Sequence, residues 1–136
     1  RRQPMKLSVK ILIIFLTVAA IFGVSAYAAT REKPSVENTY DENLPTLIDL
    51  GAEWCPPCRQ LRPVLVKLQE RYGEKINFRF YDVDAPENAE IVGKYGARVL
   101  PTLVYLDKEG NVLQKTEGAR TELQLETEFA RLGWTS

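Results

Sequence analysis

The chain contains no histidine and only two cysteines among its 136 residues. The first absence excludes serine–histidine triads, histidine general acid–base catalysis and histidine-ligated zinc. Two cysteines make at most one bridge, so the fold is not a disulfide-built scaffold. Without histidine they also cannot complete a four-ligand Cys/His zinc centre within one chain. Net charge is absent too: 18 Lys and Arg face 18 Asp and Glu, which argues against electrostatic binding of nucleic acid. What is there is an ordinary globular composition, 45% hydrophobic and 26% charged, of a length that allows one domain. There is no internal repeat and no low-complexity tract.

The neutral total hides an uneven distribution. Residues 1–30 carry Arg1, Arg2, Lys6 and Lys10 and no acid, which leaves residues 31–136 with 14 basic groups against 18 acids, a net of −4. Twenty uncharged residues separate Lys10 from Arg31, opening with the apolar run Ile11–Val24 and followed by Ala26-Tyr27-Ala28. A basic start, an apolar stretch and an A-x-A triplet predict an export signal over residues 1–28. Twenty uncharged residues would also just span a ~30 Å hydrocarbon core, so a retained anchor is the alternative. The triplet favours cleavage after Ala28, which would leave 108 residues. On either reading Lys6 and Lys10 stay on the cytoplasmic side and the rest is exported to the periplasm or outer face of the membrane. No cysteine follows the run to take a lipid. Residues 29–44 are polar, with Pro34, Asn38, Asp41 and Asn43, and read as a linker to a domain over residues 45–136.

Along that domain, Thr46–Leu50 reads as a buried strand interrupted by Asp49. Leu61, Val64, Leu65 and Leu68 recur at helical spacing between Cys58 and Tyr72, with Pro63 expected to kink the helix. Ile76–Val83 alternates as a strand. Pro86–Tyr95 suits a short helix, with Asp84 as its N-cap. Thr102–Leu106 and Val112–Thr116 flank a tight turn, and Glu122–Leu132 is an amphipathic helix. The order β-α-β-α-β-β-α predicts an α/β fold. Strands joined through helices should pair in parallel, and a C-terminal antiparallel hairpin should complete a mixed sheet with helices on both faces.

Glu53-Trp54-Cys55-Pro56-Pro57-Cys58 falls between the first strand and the first helix of the domain. A helix N-terminus offers unpaired N–H groups and the positive end of the dipole, so it lowers the pKa of a thiol placed there. Cys58, one turn further on, is within reach of a mixed disulfide formed on Cys55. Pro56 and Pro57 stiffen the approach where helix N–H donors are not needed. The bland alternatives are a structural bridge and two buried thiols. A bridge across so short a loop removes little unfolded-state entropy, and the prolines with an adjacent charge predict an exposed loop. Glu53, Arg59 and Arg62 read as solvated rim. An acid inside an apolar strand, Asp49, should have a raised pKa and so be able to take a proton.

Trp54-Cys55-Pro56-Pro57-Cys58-Arg59, together with Leu100-Pro101-Thr102 downstream, resembles the thioredoxin family from about Leu44 to Leu132. The resemblance implies that Cys55 attacks, Cys58 resolves, and Asp49 is the buried acid that helps deprotonate Cys58. It implies a cis-proline at Pro101 whose neighbour Leu100 offers its backbone to substrate, and a groove kept open at Gly118 and bordered by Trp54, Pro56 and Pro57. The pattern departs from the family in three places. Gly51 replaces a frequent aromatic and should leave the groove more open. Phe80 stands where a lysine often neighbours the buried acid, which should let Asp49 titrate still higher. Pro56 replaces a common glycine. There is also little room for the family's first strand and helix.

The resemblance further implies an exported thiol–disulfide oxidoreductase, with no cofactor beyond the Cys55–Cys58 couple and no metal. Its expected direction is reduction of disulfides in exported proteins, apocytochrome c among them. Electrons would come from a membrane thiol donor, and the protein is expected to be a monomer that binds no nucleic acid. A disulfide oxidase or isomerase, or a non-catalytic peptide-binding module on the same fold, are the competing readings.

Overall fold

A computed structural model describes residues 7–28, with side chains for 9–19, and residues 38–136. The N-terminal part forms a unit of its own. In it, helix α1 (Leu7–Ala28) takes up the apolar run in 22 residues, with no acid in its first turn and no base in its last. Ile11, Leu12, Phe15 and Leu16 on it are exposed. Among the described residues no helix is long and apolar enough to cross a membrane. The basic residues Arg1, Arg2 and Lys6, and the linker as far as residue 37, lie outside the description.

The domain is built on strands β1 (Thr46–Gly51), β2 (Asn77–Asp82), β3 (Thr102–Leu106) and β4 (Val112–Glu117), in the spatial order β2-β1-β3-β4. Helix α2 (Pro56–Tyr72) joins β1 to β2, which pair in parallel as expected of strands joined through a helix. A 3₁₀ turn at Pro86–Asn88 and helix α3 (Ala89–Tyr95) lead to β3. There the sequence expectation fails in one respect: β3 lies antiparallel to β1. The helix-linked pair β2 and β3 are not neighbours, and the link through α3 carries the chain past β1 to its other side. The hairpin of β3 and β4 is antiparallel as expected, and helix α4 (Glu122–Arg131) closes the domain.

Alternation along the strands separates two apolar faces. Leu47, Phe78, Leu103 and Tyr105 point to one side and pack against Leu61, Leu65 and Leu68 of α2 and Leu125 and Phe129 of α4. The Phe129 ring meets the edges of Tyr72 and Phe78 and stacks on Trp134. Ile48, Leu50 and Val104 point to the other side, towards Ile91 and Tyr95 of α3. Thr121 caps α4 in a reciprocal box with Gln124. Helix α2 begins at Pro56, two residues earlier than expected, and continues through Pro63 to Tyr72.

The described end of the linker is held on the domain rather than free. The Thr39 N–H donates to the Phe78 carbonyl at 3.1 Å, and the Phe80 N–H donates to Asn38 Oδ1 at 2.6 Å. Asn77 accepts from the Asp41 N–H and returns a bond to the Asp41 carbonyl. These bonds cover the outer edge of β2, whose unpaired groups would otherwise be exposed.

Candidate active site

Strand β1 ends at Gly51, and the chain turns through a short loop into α2, which places Cys55 as the helix N-cap. Its Sγ accepts the Cys58 N–H at 3.3 Å, and Pro56 and Pro57 fill the first helical positions, where a missing N–H costs nothing. The two cysteines are joined in a disulfide, with Cα atoms 5.3 Å apart. The loop is at the surface as expected, with Trp54 65% exposed and both prolines exposed. The cysteines themselves are buried, tucked beneath the loop against Ala52, Val83 and Leu100. Trp54 is fixed by its indole N–H, which donates to Asp84 Oδ2 at 2.5 Å. Asp84 therefore serves Trp54 and does not cap the following helix, whose 3₁₀ turn starts after Ala85 without a side-chain cap.

On the α2 side of the sheet, Asp49 follows Leu47 by two residues and sits in register between Phe80 and Leu103. It is buried, and its Oδ1 has no hydrogen-bond partner. Burial pushes its carboxyl up to about 7, against the opposing pull of the Arg62 guanidinium. Position 51 does not open a groove. A Cβ on Gly51 would lie 3.3 Å from Cys58 Sγ and 3.3 Å from Phe80 Cε2, so the space of a larger residue is taken by the disulfide and the Phe80 ring. Over that ring lies Arg62, with Cζ 4.1 Å from the centroid. Arg62 Nη1 pairs with Glu53 Oε1 at 2.5 Å, and the Arg59 guanidinium donates to the Glu53 carbonyl.

On the other flank the Leu100–Pro101 bond is cis, and Pro101 is buried. Leu100 packs on the disulfide cluster while Val99 is 46% exposed. Thr102 Oγ1 donates back to the Val99 carbonyl at 2.6 Å. Gly118, at φ 82°, donates its N–H to the Pro101 carbonyl at 2.8 Å. All nine residues singled out in the sequence thus occur at one end of the sheet: Asp49, Trp54, Cys55, Pro56, Pro57, Cys58, Leu100, Pro101 and Gly118. Sequence reasoning missed Arg62, taken for solvated rim but with a side chain only 17% exposed. The signal for Arg62 was its place four residues after Cys58 on the same helix. Among the described residues no group of three or more His, Cys, Asp or Glu side chains is placed to hold a metal.

A half-turn disulfide capping a helix, an acid buried in the adjoining strand and a cis-proline loop alongside define a protein built around a dithiol–disulfide couple. The chain belongs to the thioredoxin family, whose model, described as Thioredoxin, matches residues 29–131. It is 30% identical over 98 residues to the Arabidopsis thaliana "Thioredoxin-like protein HCF164, chloroplastic", a match covering 72% of this chain and 38% of that one. It is 29% identical over 110 residues to the Synechocystis "Thiol:disulfide interchange protein TxlA homolog", covering 81% of this chain and 61% of the relative. Both relatives are longer, and the match spans between about a third and two thirds of their length. Among solved structures, the germline-specific thioredoxin Deadhead of Drosophila melanogaster superposes with a TM-score of 0.59 at 30% identity, over 66% of this chain and 82% of that one.

Proposed function

We propose that this chain is a thiol–disulfide oxidoreductase that reduces disulfides of exported proteins. The observation that carries the reading is the Cys55–Cys58 disulfide at the N-terminus of α2 with the buried Asp49 behind it. In the reduced protein the Cys55 thiolate, favoured by the helix N-terminus, attacks one sulfur of the substrate disulfide and expels the other as a thiolate. Cys58 gives its proton to the Asp49 carboxylate and attacks Cys55 Sγ. The second substrate thiol leaves, the substrate has gained two electrons, and the protein holds the disulfide. Leu100, Pro101 and Gly118 border the groove where an extended substrate would lie, with Trp54, Pro56 and Pro57 on the opposite rim. A membrane thiol donor would return two electrons to the couple, and the substrate class would be exported proteins that carry a disulfide, apocytochrome c in its oxidised form among them.

Export is supported by the four basic residues Arg1, Arg2, Lys6 and Lys10 around the opening of the apolar helix α1, whether as cleaved signal or retained anchor. The Synechocystis relative's name, "Thiol:disulfide interchange protein TxlA homolog", agrees with exchange chemistry.

The test is reduction of insulin by dithiothreitol, which the wild-type chain should accelerate and Cys55→Ser should return to the uncatalysed rate. Full activity in Cys55→Ser would sink the reading. The direction is read from the potential of the couple: a value near the ~−270 mV of thioredoxin marks a reductant, and one near ~−120 mV an oxidant. Protease added to intact spheroplasts should digest the domain if it is exported.

A further inference from the structure

Arg62 lies one turn beyond Cys58 on α2. An arginine on a helix surface ordinarily keeps its head in water while its stem covers apolar area. This one is folded back, its guanidinium over the Phe80 ring and its Nη1 on Glu53. Phe80 is the register partner of Asp49 and the residue that, with Cys58, fills the space beside Gly51. The cation thus roofs the wall shared by the carboxyl and the disulfide.

We propose that Arg62, laid on Phe80 and tied to Glu53, is a positioning residue that governs proton exchange between Asp49 and Cys58. The inference rests on the reading of Asp49 as acceptor of the Cys58 proton. Two influences act on the carboxyl in opposite directions: burial favours its neutral form, and the field of Arg62 favours the carboxylate. A half-buried cation is screened less than one in water, so its pull reaches further through the protein.

Among the described residues Arg62 is the charge that acts on the Asp49 carboxyl, whereas Arg120 and Arg131 act on the Tyr105 hydroxyl of the same layer. From α2 the layer presents Cys58 and Arg62, from β2 Phe78 and Phe80, from β3 Leu103 and Tyr105, and from β4 Thr116. Burial holds the Tyr105 hydroxyl in its neutral form. The acids of α4 are committed elsewhere, Glu122 and Glu126 to Arg71 and Glu128 to Arg131. Glu53, on the loop before Cys55, acts by dividing the attention of Arg62. Removing its charge should leave the pull of the guanidinium on Asp49 less opposed.

The proposal is tested on the oxidised full chain by following the ¹³C shift of the Asp49 carboxyl against pH. Arg62→Gln should raise the midpoint by about 0.5–1 pH unit, Arg62→Lys should restore at least half of that shift, and Glu53→Gln should lower the midpoint. Circular dichroism and thermal melting check that each variant is folded. In parallel, glutathione release from a Cys55–glutathione mixed disulfide should slow by about three- to tenfold in Arg62→Gln below the wild-type midpoint and recover at high pH. A midpoint unchanged within about 0.2 unit, or a moved midpoint with an unchanged release rate, overturns the role of Arg62. The carboxyl titration needs no substrate. An unmoved midpoint with normal insulin reduction therefore rejects only Arg62, whereas no insulin reduction by the wild type rejects the functional reading itself.

Discussion

One layer of the domain, the space between the sheet and helices α2 and α4, follows opposite rules in its two halves. In the lower half Leu47, Leu65, Phe78 and Phe129 are each no more than 1% exposed. Rings pack edge to face there and the filling is apolar, as in any interior of native density. Two residues further along the same strands the upper half receives Asp49 and Phe80, then Gly51 two beyond Asp49, and the start of α2 contributes the Cys55–Cys58 disulfide. An unbonded carboxyl oxygen, a missing side chain and a cation lodged on a ring occupy the volume that apolar groups fill below. The contrast shows how a small domain holds an unfavourable group in place. The lower half supplies rigidity and net stability, and the upper half gives some of that stability up to keep a carboxyl out of water beside the thiols.

The widest difference between the halves should appear on removing a ring from the lower one. Phe129→Ala loses a side chain that touches Tyr72, Phe78 and Trp134 and should cost about 3–5 kcal/mol. Urea denaturation should give the same loss at pH 5 and pH 8, because no titrating group is involved. A loss that depends on pH would mean that the two halves are not separable.

Asp49→Asn acts on the upper half and in the opposite sense. The carboxyl binds its proton more tightly in the folded chain, at about 7, than at the ordinary 3.8. The folded protein therefore holds the extra proton between about pH 4 and pH 7, and native stability falls as pH rises through that window. Below about pH 4 both states are protonated and the carboxyl costs nothing. Above about pH 7 the full penalty of a buried charge is present. The amide has no such penalty, so the variant should be more stable than wild type by about 2–4 kcal/mol at pH 8 and nearly equal to it at pH 4. It should also release substrate from the Cys55 mixed disulfide more slowly. Equal stabilities at pH 8 would show that the carboxyl is solvated and the contrast between the halves false.

The lower half was largely legible in the sequence, because it is written as period: Leu61, Leu65 and Leu68 recur at helical spacing, and Ile76 and Phe78 alternate with Asn77. The upper half was legible only where residues cluster in a motif, as at Trp54–Cys58, or match a family pattern, as at Pro101 and Gly118. Arg62 escaped because a lone arginine carries no period, and its place four residues after Cys58 does not say whether its head turns to water or to a ring. The antiparallel entry of β3 escaped because helix-linked strands are ordinarily neighbours in parallel, and only the sheet order reveals the strand between them. The segment from Asn38 to Leu44 escaped for another reason. Apart from the Thr39–Phe78 backbone bond, its hold on β2 runs through side-chain amides and hydroxyls, which look the same in a tether.

The smallest expected effect lies at Gly51, where the comparison between the halves is at its sharpest. In a lower-half position a missing Cβ would be a defect to fill, and alanine would stabilise by reducing the freedom of the unfolded chain. At position 51 the added methyl meets Cys58 Sγ and the edge of the Phe80 ring, each at 3.3 Å. The sulfur is fixed by its disulfide, so the ring must give by a few tenths of an ångström, and Arg62 rides on that ring. Gly51→Ala should therefore destabilise by about 0.5–1 kcal/mol instead of stabilising. The loss should shrink when Phe80→Leu removes the ring edge, a coupling that a double-mutant cycle in urea reads directly. If alanine stabilises the chain and shows no coupling to position 80, the upper half has slack, and the Phe80 ring is not what holds the carboxyl, the disulfide and the arginine in register.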